Sequence, residues 1–146
     1  MSSNYRCGFL ITQIKQVSGR TLDKILAKQG VDAFNGAQGR ILDILWQKDQ
    51  IPISEISRLT GLSAATLTGM LDRMEKAALV KRVPDNTDRR KLLIALTDEA
   101  QLLKENYLAV SSAMDNIYYQ GFSEEEIASL QSYLERILAN LENYQA

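Results

Sequence analysis

The sequence predicts a mainly α-helical protein with one small β-hairpin near its centre. Three observations carry that expectation. Apolar residues recur at helical spacing over most of the chain, and two short β-rich runs flank a cluster of turn residues at 84–88. Glycines and capping residues stand where the helical periodicity stops. The 146 residues, 45% hydrophobic and 24% charged, suit one globular domain with a hydrophobic core.

The elements follow in order. Residues 5–28 form a first helix on the spacing of Phe9, Leu10, Ile14, Val17, Leu22, Ile25 and Leu26, with Gly30 as its stop. After a connector from Val31 to Gly36, Asn35 is placed to cap a second, buried helix carrying Ile41, Leu42, Ile44, Leu45 and Trp46 and ending near Lys48. From Ile51 the elements shorten. Pro52 suits a first helical turn, Ile53, Ile56 and Leu59 form an apolar stripe, and Gly61 ends the helix. Ser63 caps the next, which runs to about Ala78.

Residues 79–83 and 91–96 then read as strands joined by Pro84-Asp85-Asn86-Thr87-Asp88, a hairpin. Thr97-Asp98-Glu99 starts a helix that runs to about Gln120, where Gly121 breaks it. Ser123 and Glu126 form a capping box for a last helix carrying Ile127, Leu130, Leu134, Ile137, Leu138 and Leu141. The expected order is α-α-(β)-α-α-β-β-α-α: a helix–turn–helix followed by a two-stranded wing, flanked by long helices.

Composition removes much chemistry. The chain has no histidine, so no Ser-His-Asp or Cys-His arrangement and no His-based zinc site can be built. Cys7 is the single cysteine, which rules out an intrachain disulfide and a cysteine metal cluster. Neither GxxxxGK[ST] nor GxGxxG occurs. No catalytic constellation, metal site or cofactor is therefore expected. Met1 leads into polar Ser2-Ser3-Asn4, and no apolar run approaches the roughly 18 residues of a membrane span, so a cytoplasmic location without membrane contact is expected.

The formal charge of −1 divides unevenly. Residues 51–96 hold eight positive and five negative side chains, a local +3, which leaves −4 elsewhere. A basic face on an acidic body is a footprint of nucleic-acid binding, although a solvated charge run produces the same pattern.

At 100° per residue, the helix 63–78 turns Leu67, Met70, Leu71, Met74 and Ala78 to the core. The opposite face shows Ala65, Gly69, Asp72, Arg73 and Lys76, with Thr66 and Thr68 at its edges. The small N-terminal half of that face, headed by Ser63, permits close approach to base edges. Thr and Ala methyls can meet thymine methyls, and Thr hydroxyls can meet bases or phosphates. Arg73 and Lys76 are better placed for phosphate or internal ion pairs. The hairpin tip carries Asp85, Asp88, Arg89, Arg90 and Lys91, a positive turn suited to a narrow minor groove. A helical hairpin packed in a core, or a winged helix that meets another protein, is the competing reading.

The run ISEISRLTGLSAATLTGMLDRMEK (53–76) resembles the DNA-binding helices of the MarR family. Leu79-Val80-Lys81-Arg82, Asp85 to Lys91 and Leu96 to Ala100 resemble that family's strand, wing and following helix, and Gln38 with Ile41-Leu42 its second helix. The likeness covers most of the chain. It implies a single domain over 1–146, with 1–34 and 98–146 as dimerisation helices and 35–97 as the winged-helix DNA-binding lobe. It further implies a homodimeric regulator, a repressor released by a small-molecule effector, whose recognition helices enter successive major grooves of a pseudo-palindromic double-stranded operator. By the same resemblance Arg90 or Arg89 is the minor-groove residue and Asp88 braces the wing. Two departures stand out: Ala64, Ala65 and Gly69 occupy positions where such helices often carry long polar or basic side chains, and Ala78 replaces a glycine usual at the helix end.

Members of such a family commonly bind small aromatic or phenolic acids, or sense oxidants through an N-terminal cysteine. Tyr5, Phe9, Phe34, Trp46, Met70 and Tyr107 are candidate effector-pocket walls, with core packing as the alternative for each. Cys7 is a candidate redox residue, with a small apolar role in a dimer interface as the alternative.

Overall fold

The computed structural model describes residues 4–145; Met1 to Ser3, whose polar character entered the reading of the N-terminus, lie outside the described residues, as does Ala146. Seven helices and two strands are described, in the order α1 (Cys7–Lys28), α2 (Gly36–Gln47), α3 (Ile53–Thr60), α4 (Ala64–Lys76), β1 (Val80–Pro84), β2 (Leu92–Leu96), α5 (Asp98–Gln101), α6 (Lys104–Tyr118) and α7 (Glu124–Glu142). The mainly helical architecture with one antiparallel hairpin is the one expected. The chain divides into two compact units, the first ending at Ser111 and the second beginning at Ser112, within α6.

In the first unit the core forms where α2, α3, α4 and the hairpin meet. Ile41, Leu42, Leu45, Ile56, Leu67, Leu71, Met74, Val80 and Ile94 are its most buried side chains. The local signals act where the sequence puts them. Asn35 accepts from the Gln38 N–H at 2.9 Å while the Gln38 side chain accepts from the Asn35 N–H at 3.0 Å, a complete capping box on α2. Gly61 takes φ 75° and so ends α3, a conformation that costs glycine nothing. Ser63 caps α4 by accepting the Thr66 N–H at 3.2 Å.

β1 and β2 pair in register from Val80↔Leu96 to Pro84↔Leu92. Ile51 adds an isolated antiparallel bridge to Ile94, the short β element expected before α3. Asp49 strengthens this stem, because its carboxylate accepts the Leu96 N–H at 2.9 Å. The stem of the wing is thus tied to the turn between α2 and α3.

Three expectations are corrected. Residues 97–120 do not make one helix. After Thr97 caps α5, the N–H groups of Leu102 and Leu103 turn back to Glu99 and Ala100, and α6 begins afresh at Lys104. Those tightened bonds rotate the helix face and leave Leu102 exposed. Ala78 is not on the core face of α4: the helix stops at Lys76, and Ala78 takes φ 59° outside it. Of the stripe Ile53, Ile56 and Leu59, Ile56 alone is fully buried, and Leu59 is exposed.

In the second unit α7 begins with the expected capping box, Ser123 and Glu126 exchanging bonds at 3.1 and 2.9 Å. α7 buries none of its residues; Leu130, Leu134, Ile137, Leu138 and Leu141 all stand exposed. α1 likewise exposes Phe9, Leu10, Ile11, Ile14 and Val17.

Candidate nucleic-acid interface

The helix–turn–helix is built from α3 and α4. Burial of Leu67, Met70, Leu71 and Met74 orients α4, and the same rotation turns Ala65, Thr66 and Thr68 to solvent, with Gly69 half-buried. The three hydroxyls at its start are partly committed. Ser63 donates to Thr66 Oγ1 at 3.0 Å, and Thr68 donates to the Ala64 carbonyl at 2.8 Å. What is left for a ligand is the Thr66 hydroxyl proton and the lone pairs of Thr68. Arg73 is exposed and makes no ion pair among the described residues.

The wing loop between the strands is held by its own backbone and two aspartates. The Asp85 N–H donates to the Lys91 carbonyl at 3.0 Å and the Lys91 N–H to the Asp88 carbonyl at 2.9 Å. Asp85 Oδ1 accepts both the Thr87 N–H and its hydroxyl, at 3.0 and 2.9 Å. Asp88 Oδ1 accepts the Arg90 N–H at 3.1 Å and its Nε at 3.2 Å. Hydrogen bonds from the Arg90 side chain and backbone hold the Asp88 carboxyl below its usual range. The bonds from Thr87, backbone first, do the same for Asp85. The guanidinium of Arg90 is 92% exposed despite this tether, and Arg89 and Lys91 are exposed beside it. The loop therefore projects three cations from a turn whose backbone is already ordered.

One residue sits between helix and wing. Arg82 on β1 reaches back to α4, its Nη2 lying 2.8 Å from Asp72 and its Nη1 3.0 Å from Glu75. The Arg82 side chain is 19% exposed, so it is spent on structure and removed from the basic face. The sequence reading counted Arg82 among the cations and did not pair it. The pairing spans seven and ten residues across a turn, which no local periodicity encodes. Arg58 is similarly engaged with Glu55, whose carboxyl it holds low.

The six candidate effector-wall residues separate. Phe34, Trp46 and Tyr107 cluster, with ring centroids 6.2 and 5.4 Å from Tyr107, and the Trp46 indole N–H donates to the Ala100 carbonyl at 3.1 Å. Met70 is buried under α4. Tyr5 and Phe9 are 87% and 76% exposed. A cleft of about 720 Å³ opens between α1, α2 and the end of α3, lined by Leu22, Arg40, Ile44, Leu59 and Tyr107 among others. Tyr107 is the one candidate that lines it. Cys7 is exposed at the first position of α1. Among the described residues no group of three His, Cys, Asp or Glu side chains could hold a metal, and no helix is long and apolar enough to cross a membrane.

A helix with a small exposed face beside an ordered, cationic hairpin is an arrangement suited to duplex DNA, and comparisons with known proteins agree. The MarR family model matches residues 34–92. The chain is 30% identical over 136 residues to the HTH-type transcriptional regulator PecS of Dickeya dadantii, covering 91% of this chain and 80% of that one. It is 32% identical over 98 residues to the organic hydroperoxide resistance transcriptional regulator of Bacillus subtilis, a match spanning 67% of this chain and 65% of that regulator. Among solved structures, a cysteine-to-serine mutant of MarR from E. coli complexed with operator DNA superposes with a TM-score of 0.81 at 25% identity, covering 94% of this chain and 99% of that one. Reduced AbfR bound to DNA superposes at 0.72 with 27% identity, covering 93% and 92%. This chain belongs to the MarR family of winged-helix transcription regulators.

Proposed function

We propose that the protein binds a pseudo-palindromic operator as a homodimer, represses transcription there, and is released by a small-molecule effector. The observation that carries the DNA-binding part is the juxtaposition, on one lobe, of the exposed α4 face from Ser63 to Arg73 with the wing cations Arg89, Arg90 and Lys91. In this reading the N-terminal half of α4 enters the major groove through Ala65, Thr66 and Thr68. The wing places Arg90 or Arg89 in the flanking minor groove, with Asp88 bracing the turn. The superposition on MarR in complex with operator DNA supports it.

The exposed apolar stripes of α1 and α7 support the homodimer. Each is a run of large hydrophobic side chains that the chain itself leaves in water, and a second copy is the partner a closed two-fold assembly supplies. The cleft beside Tyr107 supports the effector. It is large enough for a drug-sized ligand, and it mixes apolar walls with Lys15, Arg40, Asp23 and Asp43.

A salt series tests the DNA reading. Phosphate contacts make log K fall linearly with log salt, so operator binding weakens steeply between about 50 and 200 mM. A flat response, or no binding to any duplex, overturns it and favours a protein partner for the wing.

A further inference from the structure

We propose that the cleft between α1, α2 and the end of α3 takes an amphoteric small molecule, one that carries an ammonium and a carboxylate on an apolar body. The inference rests on the effector reading above and names the chemical class of that effector. The cleft walls hold charge of both signs, Lys15 and Asp23 from α1 and Arg40 and Asp43 from α2. None of the four joins an ion pair among the described residues. Asp23 is partly engaged, its Oδ1 accepting the Gly36 N–H at 3.3 Å. Spacing alone does not keep the others apart: Glu55 and Arg58, three apart on α3, are bonded, whereas Arg40 and Asp43, three apart on α2, are not.

Burial sets the roles of the two α2 charges. Asp43 is half-buried beside half-buried Ile44, while Arg40 is exposed at the rim. A carboxylate partly withdrawn from water is costly without a partner, and an ammonium is the partner that satisfies it. Residues three apart on a helix have Cβ atoms about 5–6 Å apart, so one molecule can meet both side chains. Its ammonium donates to the Asp43 carboxylate, and its own carboxylate accepts from the planar fork of Arg40. Leu22, Ile44, Leu59 and Tyr107 line the same cleft and receive the apolar body, and about 720 Å³ is ample for a molecule of amino-acid size. A simple organic acid would leave Asp43 without a partner, and a simple amine would leave Arg40 without one. A ligand with both charges satisfies both.

The test uses the full-length protein and probes matched in skeleton. Phenylalanine carries both charges, hydrocinnamate the anion alone and phenethylamine the cation alone; leucine, isocaproate and isoamylamine repeat the comparison without a ring. Binding is read by titration calorimetry and by the fluorescence of Trp46, the single tryptophan, whose ring centroid lies 5.4 Å from that of Tyr107 in the cleft wall. In each set the amphoteric probe should bind about tenfold tighter than either single-charge analogue. Arg40→Gln should bring phenylalanine down to the level of phenethylamine, and Asp43→Asn should bring it down to the level of hydrocinnamate. The proposal is overturned if a single-charge probe binds as tightly as its amphoteric parent, or if the two substitutions weaken all probes equally. In either case the cleft still binds a small molecule, and only the class assigned to it fails. If no probe gives heat or a fluorescence change at millimolar concentration, the effector reading of the cleft fails together with the proposal.

Discussion

Arg82 of β1 grips Asp72 of α4 at 2.8 Å and Glu75 one turn further at 3.0 Å, so the strand that supports the wing is pinned to the recognition helix. Both carboxylates are more than a third exposed, which limits each pair to the range of ordinary surface bridges. The geometric effect is larger than the energetic one, because a single forked guanidinium fixes the angle between α4 and the strand that carries the wing, the two elements proposed to reach adjacent grooves. Arg82→Ala should cost only about 0.5–1 kcal/mol of stability. Its operator affinity should fall further than that figure implies, and Asp72→Asn combined with Arg82→Ala should add little. A double-mutant cycle read by urea denaturation and by DNA binding checks this; full additivity in both readouts would mean the residues act independently.

Ala78 stores strain at the other end of the same helix. The helix ends in a Schellman arrangement, with the Leu79 N–H on the Met74 carbonyl at 2.9 Å and the Ala78 N–H on the Glu75 carbonyl at 3.0 Å. That motif needs a left-handed residue, and here an alanine supplies it at φ 59°. The Thr97 hydroxyl holds it there by donating to the Ala78 carbonyl at 2.6 Å while accepting the Ala100 N–H at 3.1 Å. Ala78→Gly should raise stability by about 0.5–1 kcal/mol, since relief of the Cβ clash outweighs the added freedom of the unfolded chain. Thr97→Val should lower it by about 1–2 kcal/mol through loss of a cap and a carbonyl partner. Thermal melts of both variants decide the matter, and a less stable Ala78→Gly would show that the alanine conformation is unstrained.

Most of the fold was legible because its punctuation is local. Asn35, Ser63, Thr97 and Ser123 cap helices, and Gly30, Gly61 and Gly121 take positive φ at stops, each through bonds within a few residues. What escaped depends on distant partners. The break at Leu102-Leu103 lies inside a run that reads as good helix, and Ala78 reads as one more core position until the helix is seen to end two residues earlier. The exposed face of α4 was readable because burial of its opposite face is periodic, and the exposed wing loop because turn residues mark it. The cleft was not, because its walls come from four separated segments, and of the aromatic residues named for it Tyr107 alone is in its lining.

The wing should be insensitive to pH over the physiological range. Asp85 and Asp88 are held below the usual carboxylate values by their hydrogen bonds to Thr87 and Arg90. Lowered values mean that these bonds are complete above the ordinary carboxylate range and are lost only as pH falls through the lowered ones. The chain has no histidine, so no side chain with an unperturbed pKa between about 5 and 8 is present. Operator affinity at constant ionic strength should stay level from about pH 5.5 to 7.5. A tenfold change within that window would reveal a titrating group that the wing geometry does not contain.

The two wing arginines should separate by their tethers. Arg90 is preorganised by two bonds to Asp88, whereas the Arg89 side chain makes none among the described residues. Arg90→Ala should weaken binding by about 1–3 kcal/mol and alter preference for narrow-groove sequences, while Arg89→Ala should lower affinity uniformly and reduce the salt slope by about 0.9. Asp88→Asn should resemble a weakened Arg90→Ala, because the arginine then pays the entropy of ordering on binding. Fluorescence anisotropy over a salt series on A-tract and mixed flanks distinguishes them. Equal losses with equal slopes would place both arginines on phosphate.

The homodimer stands or falls on α7. Its stripe of Leu130, Leu134, Ile137, Leu138 and Leu141 is exposed throughout, and the groove beside it, lined by Tyr119, Ile127, Leu130, Leu134 and Leu138, is shallow at about 210 Å³. A helix with no buried residue draws little stability from its own unit, since in water most helical stability comes from packing an apolar face. A second copy packed on that stripe would supply the contacts, and folding of α7 should then be coupled to association. Leu134→Glu places a charge in the middle of the stripe and should convert the dimer to monomer at micromolar concentration, with a concentration-dependent melting temperature in the unaltered protein and none in the variant. Ser132→Glu, on the opposite face of α7, should leave the dimer intact. Sedimentation equilibrium decides: a full dimer in Leu134→Glu would move the interface away from α7 and leave the stripe to another partner.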